Sequence, residues 1–373
     1  MSSLIEEMGR KALQLGVPLS VQLDLTYRCN ERCIHCYLDH DDHGEMTTAE
    51  IKDLLGQLAE AGVFFLVLSG GEILMRRDFF EILEYARAKM FCVKLKTNAV
   101  LIGEREAKRI RSLDVESVQI SIYSDRHEVH DAITKVPGSL KRSLQAIRFL
   151  RDQGLHVTIA NVLMLQNAQD YPAVKALAGE LGVRFTMDPT ITPMMDGNRS
   201  TLSLNVDESS LRGVFRDETL VGNVEEFCAP PLGVDEEALD TLPCSAGHTA
   251  CYVSPYGDVY PCVQFPLPSG NVRRNSFLEI WRHSPQLNEV RSITLRDLPS
   301  CSRCTHGTTC TRCPGLAFME GNMRGPSYQD CEKSYARTGI PSENLKSRKA
   351  APAHLVQIQG IPAQAPALTF LAS

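Results

Sequence analysis

The 373-residue chain has no excess of positive charge: 39 lysines and arginines stand against 45 aspartates and glutamates, a formal charge of −6. Without a basic surface there is nothing to hold a nucleic-acid backbone or an anionic membrane, so neither is expected as a partner. Also absent is any apolar run of membrane-spanning length. The first sixteen residues scatter Glu6, Glu7, Arg10 and Lys11 among apolar positions, which suits a short amphipathic helix and not the continuous apolar stretch of a secretory signal. Cysteine, by contrast, is abundant. Thirteen cysteines with no export signal argue for metal or redox chemistry in a reducing compartment, where disulfides do not persist, and a cytoplasmic location is expected.

Cys29, Cys33 and Cys36 lie together as Cys-x3-Cys-x2-Cys. Three thiolates are one short of a closed metal site, and a cube of four irons and four sulfides held this way leaves one iron open to an exchangeable ligand. A zinc site completed by His35, or a redox pair with a bystander, are the other readings of the triplet. Against zinc, His35 and Cys36 are adjacent, and neighbouring side chains in a short loop rarely converge on one tetrahedral ion. The second half holds Cys244, Cys251, Cys262, Cys301, Cys304, Cys310, Cys313 and Cys331, the eight thiolates that two fully ligated four-iron clusters need. Cys92 and Cys228 remain over, read as a buried strand residue and a linker residue. On this half alone a pair of zinc knuckles, and with it a non-catalytic zinc-binding interaction module, stays open.

From Val21 to about Met187, short apolar runs alternate with segments of helical period, the pattern of repeated strand-helix units on a parallel sheet. Strands are expected at Val21 to Leu25, Phe64 to Leu68, Val93 to Lys96, Ser117 to Ile122, His156 to Val162 and Arg184 to Met187. The best-marked helix starts at the capping box Thr47-x-x-Glu50 and carries Ile51, Leu54, Leu55 and Leu58 on one face. Others are expected over Phe79 to Lys89, Glu104 to Ser112, Leu140 to Gln153 and Tyr171 to Leu181. The fold class is α/β: a partial (β/α)6 barrel followed by a small cysteine-rich domain. Residues 1–20 form an N-terminal helix, 21–215 the barrel, 216–243 a linker, 244–335 the cysteine-rich domain and 336–373 a mobile tail, in which His354 to Ile358 can pair as an edge strand. In such architectures ligands bind where strands end, and the cysteine loop follows the first strand.

Together the two cysteine patterns resemble the radical S-adenosylmethionine (SAM) enzymes with a C-terminal SPASM domain. The resemblance runs from Val21 to about Tyr335 and includes Cys244-x12-Gly257-x4-Cys262 and Cys301-x2-Cys304-x5-Cys310-x2-Cys313, then Cys331, with Tyr256 to Pro261 as a hairpin turn and Gly270-Asn271 and Trp281 fitting. The last short gap has two residues where the family usually has three. Ser69-Gly70-Gly71-Glu72 resembles the family's Gly-Gly-Glu-Pro motif, with Ile73 in place of proline.

The resemblance implies three 4Fe-4S clusters: one on Cys29, Cys33 and Cys36 that binds SAM, and two auxiliary ones. The family's interleaved ligation gives Cys244, Cys251, Cys262 and Cys313 to one auxiliary cluster, and Cys301, Cys304, Cys310 and Cys331 to the other. It also implies SAM contacts from His35, Gly70, Gly71, Glu72, Asn98, Ser121 and Asn161, while Tyr27 and Asp188 sit where substrate is met. The implied activity is oxidation or crosslinking of side chains in a ribosomally made peptide. That would require a separate small recognition protein and an electron donor such as flavodoxin or ferredoxin. Sulfatase-type maturases carry an aspartate base where this chain has Val263. Oxidation or epimerisation of a small molecule, such as a sugar, an aminocyclitol or a tetrapyrrole, is the alternative.

Overall fold

A computed structural model describes residues 4–307 and 309–350. The chain divides into two compact units. One comprises residues up to Leu211 together with Cys244–Ser292; the other comprises Arg212–Pro243 and the residues from Ile293 onward.

The first unit is built on nine strands: β1 (Ser20–Thr26), β2 (Phe65–Gly70), β3 (Cys92–Thr97), β4 (Ser117–Ser121), β5 (His156–Val162), β6 (Arg184–Asp188), β7 (Ala250–Val253), β8 (Asp258–Tyr260) and β9 (Gly270–Asn271). Their spatial order is β6-β5-β4-β3-β2-β1-β7-β8-β9. The first six strands are mutually parallel, as expected from the alternation of strand and helix. β7 then adds to the free edge of β1, also in parallel, and β8 and β9 continue as an antiparallel meander. The sheet therefore runs on into the segment expected to form a separate module.

Helices Thr48–Glu60, Phe79–Ala88, Glu104–Ser112, Ser139–Asp152 and Tyr171–Glu180 connect the parallel strands. The capping box at the first is formed, with the Thr47 hydroxyl accepting from the Glu50 amide and the Glu50 carboxylate from the Thr47 amide. Its apolar face, Ile51, Leu54, Leu55 and Leu58, packs on the outward side of the sheet with Val21, Leu23 and Leu66. All of these are essentially sealed from solvent, and each contributes roughly 1.5–3 kcal/mol.

Three segments depart from expectation. Helix His127–Thr134 carries His130, Ile133 and Thr134 inward on only eight residues, too short for a clear helical period. Residues 216–243, read as a linker, form the short helices Glu218–Val221 and Val224–Phe227 in the second unit. Their acidic stretch is held by Arg296, at 2.9 Å from both Glu236 and Asp240. The stretch expected to be mobile from residue 336 is helical over Tyr328–Thr338 and Glu343–Ala350. His354 to Ile358 lies outside the described residues.

Candidate functional site

The cysteine loop leaves the carboxyl end of β1 and is closed by Glu45. One Glu45 oxygen accepts from the Thr26 hydroxyl at 2.6 Å and the Tyr27 amide at 2.8 Å, while the other meets Arg28 at 3.3 Å. Arg76 braces the same base, donating to the carbonyls of Leu25 and Met46, each at 3.0 Å. Within the loop, the amides of Arg32 and Ile34 donate to the carbonyls of Thr134 and Ile133, so the helix missed by the sequence pattern supports the cysteines. Cys29, Cys33 and Cys36 thereby come to one wall of a cavity of 320 Å³ at the strand ends.

Gly70 and Gly71 line that cavity, yet what they approach is the chain itself. A Cβ on Gly70 would stand 2.2 Å from the Thr26 carbonyl oxygen, and one on Gly71 2.4 Å from that of Arg28. Gly70 also has a φ of +132°, open to glycine and strained for other residues. The amides of Gly71 and Glu72 donate to those two oxygens at 2.8 and 3.0 Å, which locks the turn against the residue before Cys29.

Three further expected contacts reach the cavity: His35, Asn98 and Ser121. Asn98 donates to Asn30 Oδ1 at 2.7 Å. The His35 ring meets that of Tyr123 edge-on at 4.8 Å, and burial drops its basicity to about 4, so it is neutral. Two expected contacts are not on the wall. The Glu72 carboxylate is fully buried and consumed by the Thr97 hydroxyl and the amides of Leu74 and Asn98. It ties the end of β2 to the end of β3. Asn161 is displaced by strand alternation: Ala160 and Val162 line the cavity, so Asn161 projects to the opposite face, where its amide donates to the carbonyls of Ile122 and Tyr123.

Beneath the cavity runs a polar chain that no motif announced. Lys96 donates to Gln22 Oε1 at 3.0 Å, and Gln22 donates to Asp24 Oδ1 at 3.1 Å. The Tyr252 hydroxyl donates to Asp24 Oδ2 at 2.9 Å and lies 2.7 Å from that of Tyr27. Burial pushes the Asp24 carboxyl up to about 6, with Tyr252, Gln22 and Lys96 opposing the shift. Period-2 alternation on β1 offered the only signal, since Gln22 and Asp24 stand on the polar face of a strand that alternates polar and apolar residues from Ser20 to Thr26. Asp188 also lines the cavity, at the end of β6.

The register of β7 on β1 sorts the later cysteines of this unit. Val21 pairs with Cys251, Gln22 with Tyr252 and Leu23 with Val253. Gln22 and Tyr252 face the cavity side, so Cys251 shares the outward face of Val21 and Leu23, sealed in the apolar core. Tyr260, two residues before Cys262, pairs with Tyr252 and lies on the inward face, and Val263 and Gln264 line the cavity. Cys262 follows the end of β8, close enough to Cys251 for its charge to raise that thiol, whereas Cys244 is exposed. In the second unit Cys301, Cys304, Cys310 and Cys331 line one small cavity of 50 Å³. Cys313 begins helix Pro314–Met319, with its amide donating to Asp330 at 2.7 Å.

The donors suit a cluster better than a single ion. Among the described residues no three His, Cys, Asp or Glu side chains converge enough to share one metal ion. A cube spreads its thiolates over separate irons and needs no such convergence. Burial raises all three loop thiols, Cys29 to about 12, with Glu31 and the neighbouring thiols adding to it at Cys29 and Cys33 and Asp24 at Cys36, so only bound cationic metal would hold them as thiolates. Among the described residues Glu31 Oε1 and His35 Nδ1 on the same wall are buried with no hydrogen-bond partner, which suits a wall that meets a ligand.

Residues 23–178 match the radical SAM superfamily and residues 244–305 an iron-sulfur cluster-binding domain of the SPASM type. The chain is 29% identical to the mycofactocin maturase MftC of Mycobacterium tuberculosis, over 93% of this chain and 90% of that protein. It is 28% identical to the AdoMet-dependent heme synthase of Oleidesulfovibrio alaskensis, over 84% of this chain and 87% of that one. Among solved structures, SuiB of Streptococcus suis bound to its precursor peptide SuiA shares the fold, with a TM-score of 0.67 at 17% identity, covering 88% of this chain and 81% of that one.

Proposed function

Because this chain belongs to the radical SAM superfamily and carries a C-terminal SPASM domain, we propose that it modifies a ribosomally made peptide by oxidising or crosslinking its side chains. The observation that carries the reading is the single cavity shared by Cys29, Cys33, Cys36 and the carboxyl ends of the strands. The similarity to the mycofactocin maturase over 93% of the chain supports the substrate class. When bound, the cluster and SAM supply one-electron chemistry strong enough to take hydrogen from an unactivated carbon.

The chain's own residues bind and orient. Cys29, Cys33 and Cys36 hold the first cluster and leave one position open; Gly70, Gly71, Asn98, Ser121 and His35 line the SAM site. Glu72 and Asn161 position that site from behind, through the ends of β3 and β4. Cys301, Cys304, Cys310 and Cys331 hold one auxiliary cluster, supported by the small cavity they share. Cys244, Cys262 and Cys313 serve the other; Cys251, turned into the core, is left out, so Cys228 or solvent completes it. A flavodoxin or ferredoxin supplies electrons, a separate recognition protein presents the peptide, and the cytoplasm is the setting. No helix among the described residues is long and apolar enough to cross a membrane.

The similarity to heme synthases favours one second reading, oxidation of a tetrapyrrole side chain. The test is anaerobic incubation of reconstituted enzyme with SAM, a reductant and a candidate peptide. Release of 5'-deoxyadenosine coupled to loss of two hydrogens from the peptide supports the proposal. Deuterium uptake without net mass loss in water indicates epimerisation instead. Undiminished 5'-deoxyadenosine release after replacing Cys29, Cys33 and Cys36 by alanine refutes it.

A further inference from the structure

Lys96 is a cation that the fold places on the cavity wall with no ion pair to a carboxylate among the described residues, its charge also reaching the Cys262 thiol. Its neighbours account for one contact, the 3.0 Å hydrogen bond to the neutral Gln22 amide, whereas an ammonium has three N–H bonds to place. Lys94, two residues earlier on the same strand, differs: it lies 3.8 Å from Glu116. The cavity's own carboxylates stand on other elements, Glu31 in the cysteine loop and Asp188 at the end of β6.

Lys96 is also held in place. Asp24, ionised, accepts only, so it turns the Gln22 NH2 toward itself and leaves Gln22 Oε1 for the ammonium. Tyr252, reaching Asp24 from β7, fixes the carboxylate in turn. Asp24 offsets part of the charge, but it is sealed from solvent behind Gln22 and cannot meet a ligand. Three strands are thus committed to aiming one ammonium at the cavity.

We propose that Lys96 is the specificity-determining residue for a carboxylate carried into the cavity by the substrate, either an acidic side chain or a free chain end, with Gln22 and Asp24 as its positioning residues. The inference rests on the peptide-modifying reading above. A carboxylate is common to SAM and to such a substrate, and the experiment separates them.

Reconstituted holoenzyme is titrated anaerobically with N-acetylglycine and with N-acetylglycinamide, probes of nearly equal size that differ in the carboxylate; the SAM dissociation constant is measured on the same samples. Wild type is expected to prefer the carboxylate probe by about tenfold or more. Lys96→Met is expected to abolish that preference while the SAM constant moves less than twofold, and Lys96→Arg to retain it. A wild type that binds the two probes equally, or binds neither, overturns the proposal. So does a Lys96→Met variant that keeps the preference, or one that weakens SAM tenfold and leaves the probes unaffected, which would assign the ammonium to the cofactor. Absence of 5'-deoxyadenosine release by wild type would sink the functional reading and leave the probe result to stand alone.

Discussion

Cys251→Ala separates a core cysteine from a cluster ligand. The side chain is 4% exposed and shares a face with Val21, Leu23 and Val253, so the substitution removes one sulfur from a packed apolar layer. Deleting a single buried heavy atom of this kind costs about 1 kcal/mol, by analogy with Ile→Val replacements. Iron should not change, because the Cys251 side chain is packed into the apolar core. Anaerobically reconstituted Cys251→Ala is therefore expected to carry wild-type iron and sulfide, with unchanged charge-transfer absorption and a slightly lower urea midpoint. Cys262→Ala, the matched control past the end of β8, should lose up to roughly four irons per chain. Iron loss in Cys251→Ala equal to that in Cys262→Ala would refute the register argument.

Other substitutions test the supports of the site. Glu45→Ala strips the Tyr27 amide and Thr26 hydroxyl of their acceptor and should cost about 2–3 kcal/mol in urea unfolding; a change below about 0.5 kcal/mol would mean the loop closes without it. Gly71→Ala drives a Cβ to within 2.4 Å of the Arg28 carbonyl oxygen, so iron analysis should show the front site depleted and the C-terminal sites filled. Asp24→Asn addresses pH. The Asp24 carboxyl is raised from 3.8 to about 6, so the folded state holds its proton more tightly and wild-type stability falls as pH rises between those values, then levels off. Asparagine removes that loss, so the variant should gain up to roughly 3 kcal/mol over wild type at pH 7.5 and nothing at pH 3.5, by urea midpoints at both.

The parallel strands were legible because most of them alternate an apolar face into the core: five of the six begin and end within two residues of the runs that announced them, and β5 coincides. Thr47 and Glu50 were legible for a local reason, since a capping box is complete within four residues. What escaped was set by distant partners. Asp24 becomes a buried carboxylate through Tyr252, and nothing near residue 24 in sequence announces a strand 228 positions later. Asn161 and Cys251 are polar or thiol residues in strands whose existence was clear or unsuspected, and in both the neighbouring strand decided which face they occupy. The acidic stretch from Asp235 resembles a solvated linker until Arg296 is brought beside it.

The insertion of β7 beside β1 ties the order of synthesis to the order of folding. β1 leaves the ribosome more than two hundred residues before the strand that covers its second edge, and the excursion through Arg212–Pro243 belongs to the other unit. Until then the nascent sheet exposes a row of unpaired amides and carbonyls along its first strand, a template for pairing with another chain. Any fragment ending at residue 243 keeps that bare edge permanently and loses the tyrosine that holds Asp24. The smallest piece that closes the sheet must extend through Gly270–Asn271.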